Sequence, residues 1–194
     1  MRIPLTMTAR AAVVATLAGV SVVGCSSHSN APTPSSGSST TTHASVSDYT
    51  TLLIKASDIK APDAFAAGPV TKDPNGQSGA TVTFSDEDHS HAIIDTIQIL
   101  LNPEAAANGL DSAKAIQHES LLAKPMGAEV GVGGVTISGS SPDHSKGVTV
   151  LLFTEGKALV TLEFDGPSFG LAPPEFVTDV GQKQDEAIKK GLGG

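Results

Sequence analysis

The sequence predicts an α+β domain in which a single antiparallel β-sheet carries helices over its faces. Three observations predict it: apolar and polar residues alternate in strand-length segments, two other segments have helical spacing, and turn residues separate them. The chain has 194 residues, and its periodic part is long enough for one apolar core. We place this single domain at residues 48–194.

The first two strands form a hairpin around an acidic turn. Residues 80–85 alternate apolar and hydroxyl side chains, and residues 91–101 are rich in isoleucine and leucine. Asp95 interrupts the second strand. An Asp95 that faced the core would need a partner and have a perturbed pKa, a sign of a functional site. We favour the other interpretation, an edge or bulge position that points to water.

Helical signals follow the hairpin. Asn102, Pro103 and Glu104 supply an N-cap, a proline at the first helical position and an acid in the first turn. Asn108-Gly109 predicts a break, after which helix resumes over residues 112–122 and ends before Pro125.

Four further strands and a final helix complete the predicted order. The strands are expected at residues 128–132, 135–138, 148–154 and 157–164, and the third is apolar on both faces, which predicts a central position. Pro173-Pro174-Glu175 begins the last helix, whose apolar side chains recur at helical spacing up to Leu192. This helix is expected to pack across the sheet.

The beginning of the chain has the pattern of an export signal. Arg2 and Arg10 precede an apolar run over residues 11–23, which is too short to span a bilayer. Val22-Val23-Gly24-Cys25 ends the run and contains the only cysteine, so an internal disulfide is excluded. Met7 is an alternative start, because Arg10 would still supply the basic end.

This pattern resembles the lipobox of bacterial lipoproteins. The resemblance implies that residues 1–24 are a signal peptide, that Cys25 becomes the acylated N-terminus, and that the protein is anchored to the outer face of the cell membrane. Residues 25–47 are rich in serine, threonine and proline, a composition that predicts a disordered tether and offers sites for O-linked sugar.

The element order also resembles a known family. Pro69-Val70 leads to Asn75-Gly76 and a hairpin, followed by the alanine-rich stretch 103–107. This order is similar to the Mog1/PsbP-like fold of actinobacterial LpqN-type cell-envelope lipoproteins, and implies that fold without implying a site. A shorter stretch, residues 52–59, resembles the start of extracellular sensor domains and related mycobacterial lipoproteins.

The charge pattern argues against nucleic acid as a partner. The formal net charge is −8, and cleavage of the signal would remove Arg2 and Arg10, the only arginines. Phosphate binding relies on clustered lysine and arginine, whereas the lysines here are scattered.

Catalytic and metal motifs are incomplete in the sequence. Gly166-Pro167-Ser168-Phe169-Gly170 matches the nucleophile elbow G-x-S-x-G, but no histidine follows His144 and prolines delay the next helix. Residues 86–91 hold carboxylates and the imidazoles of His89 and His91, which are metal-ligand types, yet they are also ordinary turn residues. His118 is expected on an exposed helix face, and His144 in a turn.

These observations predict a non-catalytic protein with no cofactor and no metal. We expect an adaptor that binds another protein through the sheet face or the loop 166–171. The alternative is a carrier of lipid or another apolar ligand, held between the sheet and the helices. An enzyme acting through Asp95 or residues 86–91 is the third hypothesis, and a pocket in the fold would bear on the choice.

Overall fold

An antiparallel sheet of eight strands organises the domain, and the computed structural model describes residues 48–193. The strands are β1 (Ala66–Ala67), β2 (Thr71–Lys72), β3 (Gly79–Ser85), β4 (Ala92–Ile99), β5 (Met126–Gly127), β6 (Val132–Ser140), β7 (Lys146–Glu155) and β8 (Ala158–Pro167). Their order across the sheet is β1-β3-β4-β8-β7-β6-β5, and the short β2 also pairs with β3. The predicted fold class is confirmed. The predicted signal peptide 1–24, Cys25 and the tether 25–47 lie outside the described residues.

The predicted hairpins and the central strand are confirmed. β3 and β4 pair in continuous register from Gly79 opposite Gln98 to Ser85 opposite Ala92. β7 lies between β6 and β8, and its apolar side chains are buried on both faces of the sheet. β4 pairs with β8 along its whole length, which joins the N-terminal hairpin to the C-terminal meander.

Helix α1 (Pro103–Leu121) begins as predicted, with the Asn102 side-chain oxygen accepting a hydrogen bond from the Ala105 N–H at 2.8 Å. The predicted break at Asn108-Gly109 is wrong, because α1 is continuous through both residues. Gly109 packs against Leu159, where a Cβ would lie 3.2 Å from the leucine Cδ2. The glycine therefore lets the helix approach the sheet, and this packing outweighs its low helix propensity.

The strand predicted at residues 128–132 is also wrong. β5 ends at Gly127 and β6 begins at Val132, so residues 128–131 lie between the two strands. Between them the Ala128 N–H donates to the Gly134 carbonyl at 2.9 Å, which closes a turn. Val130 is buried in the core beneath the last helix, α2 (Pro174–Leu192), so its side chain contributes to tertiary packing and its backbone is not part of a strand.

Two apolar cores lie on opposite faces of the sheet. Helix α2 (Pro174–Leu192) covers the larger core, together with the 3₁₀ turn Tyr49–Leu52, and α1 covers the smaller one. On β8 the side chains of Val160, Leu162 and Phe164 face α2, whereas Leu159 faces α1. Both faces of the central strands are therefore buried.

The first described segment is fastened to α2 by one buried side chain. Gln184 is fully buried; its Nε2 donates to the Leu52 carbonyl at 2.8 Å and its Oε1 accepts from the Ile54 N–H at 3.0 Å. The amide thus satisfies two buried backbone groups that lie outside the sheet.

Candidate functional site

A recess of about 610 Å³ opens at the end of the larger core, where α2 begins. We call it the α2 pocket. Five segments build most of it: the loop after Ile59, the start of β4, the end of β8, the loop at residues 170–173, and the first turns of α2. Its apolar wall is formed by Pro62, Phe65, Ile93, Phe164, Leu171 and Phe176.

The pocket concentrates the aromatic side chains of the domain. Phe65, Phe164 and Phe176 line it, out of six phenylalanines in the chain. The rings of Phe164 and Phe176 pack edge to face with centroids 5.8 Å apart. Phe164 is held on β8 opposite Ile93 of β4, so the wall of the pocket is built on the central strands and is rigid.

A tight turn with an exposed aromatic residue borders the pocket. In the segment Pro167–Gly170, which we call the Phe169 turn, the Gly170 N–H donates to the Pro167 carbonyl at 2.7 Å. Phe169 is 94% exposed and has a φ of 72°. That conformation favours glycine or asparagine at the third position of a turn, so the phenylalanine is both strained and unprotected. Leu171, beside it, lines the pocket and is half exposed.

Asp86 and His91 form an ordered polar pair at the mouth of the pocket. The Asp86 carboxylate is 5% exposed and accepts from the His91 ring Nδ1 at 2.9 Å, the His91 N–H and the Ser90 hydroxyl. Desolvation raises the pKa of Asp86, but these hydrogen bonds outweigh it and hold the pKa at about 2. Since Nδ1 faces a carboxylate, it carries the proton, and the ring orientation is fixed.

The two-histidine arrangement considered for residues 86–91 does not form. β4 begins at Ala92, and His89 lies in the turn with a left-handed φ of 58°. His144 has the same φ in the turn between β6 and β7. Within residues 48–193 no three histidine, cysteine, aspartate or glutamate side chains are grouped as metal ligands.

Asp95 lies in the larger core, so the predicted water-facing position is wrong. It is 0% exposed on β4, an interior strand, with Val82 and Leu162 as its cross-strand neighbours. Burial raises its pKa to about 8, which the nearby Ile54 N–H offsets only in part. That N–H donates to Gln184, and within the described part of the chain both Asp95 carboxyl oxygens have no hydrogen-bond partner.

The nucleophile motif is not assembled into a catalytic site. Ser168 lies in the Phe169 turn, and α2 begins only at Pro174. The described hydrogen bonds of the nearby imidazole, His91, join it to Asp86 and Ser90. His118 contacts the Ala123 carbonyl through Nδ1 at 2.7 Å, beyond the end of α1. The predicted loop at residues 166–171 is confirmed from residue 168 onward, whereas Gly166 and Pro167 belong to β8, which is longer than predicted.

A second, polar recess of about 380 Å³ lies on the α1 face. Lys146 pairs with Asp165 there at 2.6 Å. Desolvation raises the pKa of the neighbouring Glu163, and Asp165 raises it further. Lys146 already neutralises Asp165, so this recess holds less unpaired charge than the α2 pocket.

Sequence patterns alone missed the α2 pocket, although they singled out the loop beside it. Its wall joins residues 62–65, 93, 164 and 171–176, which come together only through strand pairing and helix packing. One signal was available: Phe164, Phe169 and Phe176 occur within a short stretch of a chain that has no tryptophan and one tyrosine.

No helix of residues 48–193 is both long and apolar enough to cross a bilayer.

Comparison with known proteins found a solved structure with a similar fold. No family model and no curated protein matches the chain. Among solved structures, the crystal structure of the extracellular domain of PknH from Mycobacterium tuberculosis is similar, with a TM-score of 0.54 and 11% sequence identity. The match covers 72% of this chain and 93% of that chain. The chain therefore has the fold of a mycobacterial extracellular domain.

Proposed function

We propose that this chain is a membrane-tethered extracytoplasmic protein that binds another protein without catalytic turnover. Its binding surface consists of the α2 pocket and the Phe169 turn. The observation that carries the proposal is the 94% exposed Phe169, held at positive φ beside an apolar pocket.

The exposure of Phe169 is costly in two ways. A non-glycine residue in this region of φ costs about 1 kcal/mol or more, and an exposed aromatic ring leaves its apolar area in contact with water. Both costs are removed by a glycine. Exposed aromatic side chains are typical anchors of protein interfaces, so a binding role explains why phenylalanine stands at this position.

Backbone packing holds the turn in place. A Cβ on Gly147 would lie 2.5 Å from the Gly170 carbonyl oxygen, and one on Gly166 would lie 2.6 Å from it. The two glycines are opposite each other on β7 and β8. Because the turn rests directly on these strands, Phe169 is preorganised, and less conformational entropy is lost on binding.

The membrane anchor is the second part of the proposal. The lipobox pattern at Cys25 and the fold of a mycobacterial extracellular domain support it. One acyl chain binds a membrane marginally and two or more bind it stably, so a diacylated Cys25 would retain the protein. Cys25→Ser should leave uncut precursor without acyl chains, and unchanged partitioning into detergent would contradict the anchor.

A second candidate function is the carriage of an apolar ligand. The volume of the α2 pocket, about 610 Å³, is in the range of small-molecule sites, and its wall is largely apolar. The position of Phe169 favours a protein partner over an apolar ligand, because its ring is exposed to solvent and is not part of the pocket wall.

Photo-crosslinking in the native envelope separates the two candidates. A photoreactive phenylalanine analogue is placed at Phe169, and the matched control replaces Leu122, which is 88% exposed at the end of α1. We expect a discrete protein adduct from position 169 and none from position 122. A lipid-sized adduct would favour the carrier, and equal labelling from both positions would contradict a binding site at the turn.

A further inference from the structure

We infer that the partner segment bound at the α2 pocket is basic, with an apolar side chain for the pocket floor flanked by lysine or arginine. The inference rests on the proposed function and names the chemistry of the partner. It follows from the charges around the pocket mouth and from how few of them are neutralised within the domain.

Negative charge predominates at the mouth. The acidic residues Asp63, Glu175 and Asp179 line the pocket, whereas Lys60 is the one lysine of the described chain that lines it. None of these four side chains is in an ion pair within residues 48–193. Asp86 and Asp165 also line the pocket. The Asp86 oxygens already accept hydrogen bonds from His91 and Ser90, and Asp165 is paired with Lys146.

Helix α2 separates its charges into two groups. Asp185 and Glu186, in its second half, pair with Lys189 and Lys183. Glu175 and Asp179, in its first half, have no such partner in the described chain. Lys183 follows Asp179 by one turn of helix, yet it pairs with Glu186 at 3.6 Å. The half of α2 that borders the pocket is therefore the unneutralised half.

The spacing of the two free acids strengthens the argument. Glu175 and Asp179 are four residues apart and lie on one face of the helix, where like charges repel. Both line the pocket. A cation bound between them would relieve that repulsion.

An anionic partner fits the site less well. The N-terminus of α2 favours negative charge, but Glu175 already supplies it in the first turn. An incoming carboxylate would meet Lys60 together with five carboxylates, of which Asp63, Glu175 and Asp179 are in no ion pair within residues 48–193. The apolar surface of Phe169 and Leu171 adjoins the same mouth, so an amphipathic basic peptide segment matches both the charge and the exposed area.

Three matched peptides test the inference. Each has the apolar centre Leu-Phe-Leu, flanked on both sides by lysine, glutamine or glutamate. The protein is the chain from residue 25 to 194 with Cys25→Ser, which contains every described element and needs no detergent that would enter the pocket. Affinity is measured by fluorescence anisotropy at low and high salt.

We expect the lysine peptide to bind best, the glutamine peptide next and the glutamate peptide least. The lysine and glutamate peptides should differ by about tenfold at low salt, and by less at high salt. Glu175→Gln with Asp179→Asn should reduce this preference and leave the binding of the glutamine peptide unchanged. The matched control, Glu119→Gln with Asp111→Asn, removes the same charge from exposed positions on α1 away from the pocket and should retain the preference.

The outcomes that overturn the inference differ from those that overturn the proposed function. Equal binding of the three peptides, or preference for the glutamate peptide, refutes a basic partner while leaving the pocket as a binding site. Absence of binding by all three also refutes it. The proposed function is decided separately, by the crosslinks from Phe169 and Leu122.

Discussion

Gly166 and Gly170 lie so close together that a Cβ on Gly166 would be 2.6 Å from the Gly170 carbonyl oxygen. Gly147, opposite Gly166 on β7, meets the same oxygen. The position of the Phe169 turn therefore depends on the absence of two side chains from the ends of two paired strands. This contact connects strand geometry to the presentation of an aromatic ring.

Gly166→Ala should displace the turn, because the new methyl group would overlap backbone and not a flexible side chain. We expect a loss of about 1 to 3 kcal/mol in the free energy of unfolding, together with weaker partner binding. Urea denaturation and anisotropy measure the two effects. Gly127→Ala is the control, since a Cβ there has no atom within 4 Å. Equal effects from both substitutions would show that the close contact is unimportant.

Phe169→Gly should stabilise the domain and weaken binding at the same time. Glycine adopts the φ of 72° without strain, and we expect a gain of up to about 1 kcal/mol in the free energy of unfolding. Phe169→Ala is the matched variant, because it removes the ring and keeps the strain. Binding should fall in both, whereas the stability gain should be smaller for alanine. A loss of stability in the glycine variant would contradict the strain argument.

Local signals in the sequence predicted the elements well and the site poorly. The Asn102 cap, the hairpin of β3 and β4, and the two-faced apolar β7 depend on neighbouring residues. The Gly109 and Val130 errors arose where packing on a distant element outweighed local propensity. The α2 pocket could not be derived, because no local pattern indicates that residues 62–65 meet Phe164 and Phe176.

Asp95 shows the same limit within a single strand. Alternation places Ile93, Asp95 and Ile97 on one face, and the sequence therefore offered a core position. We favoured water because burying a carboxyl group is costly. β4 pairs with both β3 and β8, so it is not an edge strand at which Asp95 could point to water. The Asp95 carboxyl group is therefore buried, and its pKa is raised.

The raised pKa of Asp95 predicts stability that decreases with pH. The carboxyl has an ordinary pKa of 3.8 in the unfolded chain and a pKa of about 8 in the folded one. Between these values the folded state binds more protons, so its stabilisation is complete at low pH and is lost as the pH rises through about 8. The free energy of unfolding should fall by up to about 1.4 kcal/mol per pH unit in this window.

Asp95→Asn removes the titrating group and should flatten this profile. We expect it to match the parent near pH 4 and to be more stable than the parent near pH 8, by an amount that grows steadily across the window. Asp95→Val removes the carboxyl without introducing an amide and should give the same flat profile, which separates charge from hydrogen bonding. Urea denaturation across the window measures both. A parent profile as flat as that of the variants would mean that Asp95 does not remain protonated in the core.

The Gln184 amide should control the stability of the first described segment. Gln184→Met keeps most of the volume but leaves the Ile54 N–H and the Leu52 carbonyl without the partner that each has now. Each unsatisfied buried group costs about 1 to 3 kcal/mol, and the loss falls on a segment that the sheet does not hold. Amide hydrogen exchange should therefore show residues 49–59 losing protection before β7 and β8 do. Gln182→Met on the same helix is the control, because Gln182 is exposed and should retain the parent protection. Uniform loss across the sheet in the Gln184 variant would instead mean that the amide stabilises the whole core and not this segment alone.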